Sequence, residues 1–471
     1  MKVIDQIYIN GSFVKPHGNQ FMDLINPLNQ EIFGKVALAD EKDTQLAIQA
    51  AKTAFKSFSK TTVAERVSYL EKMHQAVSKR KQDLIDVMVY EFGGPVQFST
   101  AVIQNGLDAI QASITALKDF KFVSTVGTSQ VRMESLGVVG IITPWNASNM
   151  FIVSKLSSAI AAGCTVVIKP SEMSAMQTQI IAESLHEAGL PAGVFNILNG
   201  LGTVVGQELS TNKDVSKISF TGSTVVGKAI AVHAVETMKR VTLELGGKSA
   251  AILLDDVNFN EAIPLALFGG LMSGGQVCTA GTRILIPENR LEEVKQIIKE
   301  TIPTMKVGNP SDQDTAIGPL VSKKQYLRVQ EYIQLGIDEG AELVVGGLGQ
   351  PEGMESGNFV KPTVFAGVTN DMRIAQEEIF GPVLVLITYK IEEEAIAIAN
   401  DSIYGLAGYV FAKDVEKGRE IAAQIDAGHI SVNGLKHDPL APFGGFKQSG
   451  IGREFGAFGM SAYLEPKTIL V

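Results

Sequence analysis

Five short runs of apolar and β-branched residues punctuate the middle of the chain. They are Gly137-Val-Val-Gly-Ile-Ile142, Thr165-Val-Val-Ile-Lys169, Phe195-Asn-Ile-Leu198, Lys217-Ile-Ser-Phe220 and Ala250-Ala-Ile-Leu-Leu254. Each is too short for an amphipathic helix and reads as a buried strand. Helical stretches such as 177–188 separate them. Parallel strands need long crossovers, so this alternation predicts an open parallel sheet with helices on both faces. A second series follows: strands at Phe365, 383–389, 408–411 and 429–432, between helices at 288–301, 322–340, 391–400 and 415–427. At roughly 150 residues per domain, a chain of 471 is too long for one core. The expected fold class is α/β, with two open-sheet domains.

The first third has a different texture. Residues 7–14 read as a hairpin around Asn10-Gly11, a strong turn pair. Asn26-Pro27 opens a turn. Residues 43–57 and 62–90 are helical, Glu91-Phe-Gly-Gly-Pro95 breaks the run, and 101–122 form another helix. Two β-prone stretches stand outside both series: 123–134, and the tail from Ala462 to Val471. A tail ending Thr-Ile-Leu-Val would fray or aggregate unless something paired with it.

Composition narrows the functions. A net charge of −9 argues against a nucleic-acid partner. The longest apolar run, 152–167, is interrupted by Ser154, Lys155, Ser157 and Ser158 and falls short of the ~20 residues that span a bilayer. The first six residues lack the apolar core of a signal peptide. Two widely separated cysteines suit a reducing compartment, so a cytoplasmic protein without a membrane partner is expected. No metal site is expected.

One cysteine, Cys278, sits in Ser273-Gly-Gly-Gln-Val-Cys-Thr-Ala-Gly-Thr-Arg283. Its small neighbours leave room for a substrate to reach the sulfur, and a thiolate is a strong nucleophile. Alone, the window fits a buried structural cysteine equally well. Cys164, against the run Thr165-Val-Val, reads as structural. Upstream of Cys278 lies Glu244-Leu-Gly-Gly-Lys248.

Glu244-Leu-Gly-Gly-Lys and Gly275-Gln-Val-Cys278, at this spacing, resemble the signatures of the aldehyde dehydrogenase superfamily. Thr143-Pro-Trp-Asn146, Lys169-Pro-Ser-Glu172, Phe220-Thr-Gly-Ser223, Glu377-Glu-Ile-Phe-Gly-Pro382 and Pro442-Phe-Gly-Gly-Phe-Lys-Gln-Ser-Gly450 follow that family's order. The resemblance implies a Rossmann-like NAD-binding domain (1–115 and 136–246), a catalytic domain (247–445) and a small β arm (116–135 and 455–471). The arm would join subunits into a homodimer or homotetramer. The implied activity is NAD-dependent oxidation of a small-molecule aldehyde to a carboxylic acid.

The same resemblance gives the residues their roles. Cys278 is the nucleophile, Asn146 and the Cys278 amide hold the oxyanion, and Glu244 is the base for thioester hydrolysis. Lys169, Ser171 and Glu172 fall to the adenosine ribose, where Glu172 would repel a 2′-phosphate and favour NAD. Gly202 and Gly206 make a weak near-match to a dinucleotide fingerprint, for which simple turn chemistry is an equal reading. Phe220, Thr221, Gly222, Ser223 and Gly227 bring a helix N-terminus to the pyrophosphate. Glu378 and Phe380 resemble the residues that hold the nicotinamide ribose and flank the ring. Leu245 is assigned to the cofactor as well, and Trp145, assigned with it, could equally be core packing.

The sequence departs from the family in places. Ala147-Ser148 replaces the usual Phe-Pro after the asparagine, and Ser273 stands where Asn is common. Phe151, Ser154, Val277, Thr279, Leu440 and Phe443 occupy the positions that would shape the substrate pocket. Two other readings remain: an acylating, coenzyme A-dependent dehydrogenase, which would not need Glu244 as a water-activating base, and a retired enzyme kept as a structural protein.

Overall fold

The buried strand runs assemble into two large sheets. A computed structural model describes residues 2–470; Val471, the last residue of the β-prone tail, lies outside the described residues. The first sheet has eight strands, in the order Gly450–Ile451, Arg240–Glu244, Lys217–Thr221, Val138–Ile142, Thr165–Lys169, Phe195–Ile197, Ile7–Ile9 and Ser12–Val14. The five from Arg240–Glu244 to Phe195–Ile197 run parallel. Every residue of Val138–Ile142, Thr165–Lys169 and Lys217–Thr221 is buried. Helices cover both faces of such strands, which is why they read as continuous apolar runs without alternation. The pairings Thr221 with Glu244, Phe220 with Ile142 and Ile142 with Lys169 bring their carboxyl ends to one edge.

The second sheet has seven strands: Glu342–Val345, Thr363–Ala366, Val383–Tyr389, Arg283–Pro287, Ala250–Leu253, Ala407–Phe411 and His429–Val432. Only Glu342–Val345 pairs antiparallel. The β-prone stretches outside the two series form a third, antiparallel sheet of Leu464–Ile469, Ser129–Ser135 and Val123–Val126. The hairpin at 7–14 forms as expected: Asn10 and Gly11 both take positive φ, 51° and 83°, the signature of a type I′ turn.

Some elements were not foreseen. A small sheet of Lys2–Ile4, Ile32–Leu38 and Gln20–Ile25 forms near the N-terminus. Phe21 and Ile25 stay exposed there, so the strand has no clean inside-outside alternation. Arg240–Glu244 and Arg283–Pro287 are strands although they flank the two signature motifs. The helix Phe259–Leu271 contains Pro264 and Gly269-Gly270, which disguise its period. Those glycines let it press against Leu435 and Leu384: a Cβ would come within 2.8 and 2.7 Å of their methyl groups. The helix Val96–Asp119 starts earlier than expected, because the chain breaks at Gly93 (φ 79°) and restarts directly after Pro95.

The helix Ser148–Ala162 is buried at every position except Met150 and packs against Val96–Asp119. A helix enclosed on all sides is a central pillar, and this one begins beside Asn146. In the second sheet the same office falls to a charge. Arg283, buried in a central strand, donates to the carbonyls of Lys248 (2.9 Å), Ile398 (2.8 Å) and Ala399 (2.9 Å) and to Asn370 Oδ1 (2.9 Å). It thereby satisfies the last turn of the helix Glu392–Asn400, where a cation is favoured. Arg283→Met should cost about 3 kcal/mol, because buried carbonyls lose their donors. A lowered denaturant midpoint with an unchanged slope would show it; a wild-type midpoint would refute this account.

Candidate active site

The carboxyl edge of the eight-stranded sheet opens into a cleft of about 470 Å³. Ligands of open α/β sheets bind beyond this edge. Trp145 and Asn146 reach the cleft from the turn after Val138–Ile142. Gly222 and Ser223 follow Lys217–Thr221, and Leu245 follows Arg240–Glu244. Cys278, Glu378 and Phe380 enter from the second sheet's side. Residues distant in sequence thus meet as expected.

The turn before Cys278 is unusual. Ser273, Gly274 and Gly275 are successively left-handed, with φ of 52°, 67° and 68°. At Gly275 a Cβ would stand 2.2 Å from the Gly381 carbonyl oxygen, so only glycine fits. Gln276 locks the turn: its Nε2 donates to the Ser273 carbonyl (3.0 Å), and its Oε1 accepts from the Val321 amide (3.0 Å). The Gln276 carbonyl accepts from Asn146 Nδ2 at 3.0 Å, which fixes Asn146 against the turn that carries Cys278. One Asn146 N–H remains for a ligand.

Cys278 is half-buried, whereas Cys164 is fully buried and donates its Sγ–H to the Tyr463 carbonyl at 3.4 Å. Burial pushes the Cys278 thiol up to about 12, and the carboxylates of Glu378 and Glu244 push the same way. The amides of Cys278 and Thr279 oppose them. The resting sulfur is therefore a thiol.

Glu244 ends its strand and is buried, but its carboxyl group does not line the cleft. It turns toward Gly444, where a Cβ would come within 2.6 Å of Oε1. Neither carboxyl oxygen has a hydrogen-bond partner among the described residues. Burial and the nearby Glu454 raise its pKa well above the usual carboxylate range, against the pull of Lys155 and Arg453. Lys155 is itself paired with Glu454.

The cofactor-type residues divide into two groups. Thr221, Gly222 and Ser223 lie in the cleft at the start of the helix Thr224–Val235, and Ser223 Oγ caps the Val226 amide at 3.4 Å. Phe220 and Gly227 support them from behind: the Phe220 ring lies under Gly222, and a Cβ on Gly227 would strike Leu245 at 2.3 Å. Glu378 accepts from the Gly247 amide at 3.2 Å. Phe380 holds a left-handed φ of 60° and meets Trp145 edge-on at 5.4 Å. The second group, Lys169, Ser171, Glu172, Gly202 and Gly206, does not line this cleft. Lys169 ends its strand and pairs with Glu172 at 2.8 Å; Ser171 Oγ accepts from the Met173 amide at 3.3 Å. Residues Gly202–Gly206 form a wide helical turn, and a Cβ at Gly202 would meet open space, so sterics do not demand glycine there.

Sequence reasoning missed the far wall. Gln325 Nε2 donates to the Phe380 carbonyl (2.7 Å), and Arg328 donates to the Glu378 carbonyl (2.6 Å). Tyr332 donates to Glu377 (2.6 Å). All three sit on the helix Lys323–Asp338 and line the cleft, as does Tyr404. Their spacing, three and four residues apart on one helical face, was the available signal.

The thiol chemistry is directly testable. Alkylation of Cys278 by iodoacetamide in the unliganded protein should keep accelerating with pH beyond 9, because the thiolate fraction is still small there. Cys164 should stay unreactive. A rate that levels off near the ordinary thiol value would contradict this.

Comparison with known proteins gives a consistent picture. The model of the aldehyde dehydrogenase family matches residues 13–469. A mutant of aldehyde dehydrogenase C from Pseudomonas syringae, solved in complex with NAD+ and octanal, is 40% identical, with a TM-score of 0.97 over 99% of this chain and 96% of that one. An aldehyde dehydrogenase of Bartonella henselae is also 40% identical, with a TM-score of 0.97 over the whole of both chains. That of Mycobacterium tuberculosis, complexed with NAD+, is 41% identical, with a TM-score of 0.95 over 100% of this chain and 98% of that one. With the Cys278 turn, its asparagine partner and the Glu378–Phe380 loop in one cleft, the chain belongs to the aldehyde dehydrogenase family.

Proposed function

We propose that this chain oxidises an aldehyde to a carboxylic acid with NAD, through a covalent intermediate on Cys278. The observation that carries the reading is that Cys278 and Asn146 share one cleft with Ser223, Glu378 and Phe380. The residues present suit the cofactor. The Ser223-capped helix offers its first amides to a pyrophosphate, Glu378 offers a carboxylate to a ribose, and Phe380 and Trp145 offer rings to nicotinamide. The Lys169–Glu172 pair supports NAD over NADP, because Glu172 would repel a 2′-phosphate. When bound, NAD supplies the acceptor for the hydride that leaves the substrate carbon.

The chain's own groups do the rest. Cys278 releases its proton to solvent water, and the thiolate attacks the aldehyde carbon, forming a thiohemiacetal. The free Asn146 N–H and the Cys278 amide hold the new oxyanion. Loss of hydride leaves a thioester on Cys278. Glu244 takes a proton from water, which attacks the thioester and releases the acid. A carboxylate with raised proton affinity is matched to that task, provided it swings from Gly444 toward Cys278. Phe151, in the wall beside Asn146, favours an apolar aldehyde, and octanal, the ligand of the P. syringae relative, is the first to assay.

The decisive experiment follows NADH formation with octanal, with and without coenzyme A, and with NADP in place of NAD. Wild type should be active with NAD alone, and Cys278→Ala should be inactive. Glu244→Gln should keep a burst of one NADH per site and then slow about a hundredfold or more, since only hydrolysis needs the base. A Glu244→Gln enzyme with no burst and slow first hydride transfer would assign Glu244 another role. Strict dependence on coenzyme A would favour the acylating reaction.

Assembly into a homodimer or homotetramer belongs to the same proposal. The helix Thr224–Val235 and the turn after it expose Val225 (80%), Val232 (67%), Val235 (68%) and Met238 (74%). The arm sheet exposes Val123, Val126 and Ile469. Apolar surface of this kind is normally covered by a partner. Val232→Glu with Val235→Glu should yield monomers in sedimentation equilibrium. A monomeric wild type at micromolar concentration would rule assembly out.

A further inference from the structure

Asn146 sits in a turn that lacks the usual local supports. The helix that follows, Ser148–Ala162, has Ala147 at its N-cap, with φ −153°, ψ 44° and no side-chain capping bond. The Ser148 hydroxyl is buried without a hydrogen-bond partner among the described residues. The helix Ala175–Glu187, which follows the Lys169–Glu172 turn, also has no side-chain bond from its N-cap, Ser174. These two helix starts meet through the side chains of Gln177 and Asn149, and neither N-cap residue bonds its own helix; Ser171 caps only the short turn Glu172–Ser174 upstream of the second.

The missing cap comes from a third helix. Glu91, buried near the end of Lys81–Phe92, accepts from the Met176 amide (2.7 Å) with one oxygen. The other accepts from the Gln177 amide (3.2 Å) and from Gln177 Nε2 (3.2 Å). Gln177 passes the constraint on: its Oε1 accepts from Asn149 Nδ2 at 2.6 Å, in the first turn of Ser148–Ala162. Asn149 Nδ2 also faces Met88 Sδ at 3.6 Å. Ser174 Oγ adds a bond to the Trp145 carbonyl at 3.4 Å. All of Glu91, Asn149 and Gln177 are buried.

We infer that Glu91, Gln177 and Asn149 form a positioning clamp that sets Asn146 against Cys278 by tying its turn to the start of the helix Ala175–Glu187. None of the three touches the reacting atoms. The clamp rests on the reading of Asn146 as the oxyanion donor, and it supplies from a distance the stiffness that Ala147-Ser148 does not supply locally. A fully satisfied buried network can fix a unique arrangement in this way, and small displacements of a positioned donor cost rate steeply.

The test uses the full-length protein. Asn149→Leu, Gln177→Leu and the double variant are compared with wild type by first-turnover NADH formation with octanal at saturating NAD. Trp145, the only tryptophan, reports on the turn by its fluorescence in the unliganded protein. Each single variant should lose about tenfold or more in first-turnover rate, with KM for NAD within about twofold, and should shift Trp145 emission. The double variant should be no worse than the worse single, because the residues act as one chain. The inference requires the rate loss and the emission shift together; either alone, or additive losses, overturns it. Should Gln177→Leu fail to fold, Asn149→Leu carries the test, since it leaves the Glu91 cap in place. If wild-type protein oxidises no aldehyde, the functional reading fails and Trp145 emission alone decides the clamp: an unchanged spectrum overturns it.

Discussion

The bond from Asn146 Nδ2 to the Gln276 carbonyl joins two halves of the molecule. Asn146 belongs to the edge of the eight-stranded sheet, and Gln276 to the turn that leads into the seven-stranded one. Neither sheet alone makes a site. The first provides a carboxyl edge with helix starts facing outward, and the second provides a sulfur in a cramped turn. That turn is cramped because Gly275 lies against the Gly381 carbonyl, which packs the Cys278 segment against the loop that carries Glu378 and Phe380. One amide thus ties the Cys278 turn to the edge of the first sheet, across the cleft from the Glu378–Phe380 loop.

Electrostatically, the unliganded site disfavours negative charge. Cys278 is pushed up to about 12 and Glu244 well above an ordinary carboxylate, each mainly by burial. Charge is expensive in such a pocket. A protonated thiol is poorly nucleophilic and resists stray oxidation. Any cation brought close to the sulfur would favour its thiolate. The Lys155–Glu454 pair behind Glu244 keeps one compensating cation within the buried group.

Much of this was legible in the sequence, and for physical reasons. Continuous apolar runs meant doubly covered parallel strands, and Val138–Ile142, Thr165–Lys169 and Lys217–Thr221 are buried along their whole length. Asn-Gly meant a tight hairpin because both residues accept positive φ. Cys278, Asn146, Ser223, Glu378 and Phe380 were found by motif, and they meet. The orientation of Glu244 was not legible: its strand says where the backbone ends, while Gly444, some two hundred residues away, leaves the space its carboxyl fills. Gln325, Arg328 and Tyr332 were missed because a polar helix face looks the same whether it meets water or a loop. The small sheet at the N-terminus was missed because Phe21 and Ile25 point outward.

The last part of the chain is needed almost everywhere. Gly450–Ile451 closes the edge of the first sheet beside Glu244, Glu454 pairs with Lys155, and Leu464–Ile469 completes the arm by pairing with Ser129–Ser135. These pairings span hundreds of residues of sequence, the kind of contact that forms late and slowly. A chain still on the ribosome can build most of both sheets, yet it holds Glu244 beside an open edge and Lys155 without its partner. The protein therefore cannot acquire a finished site until residues 450–469 have been made, and premature termination anywhere before residue 450 leaves the Arg240–Glu244 edge of the first sheet uncovered.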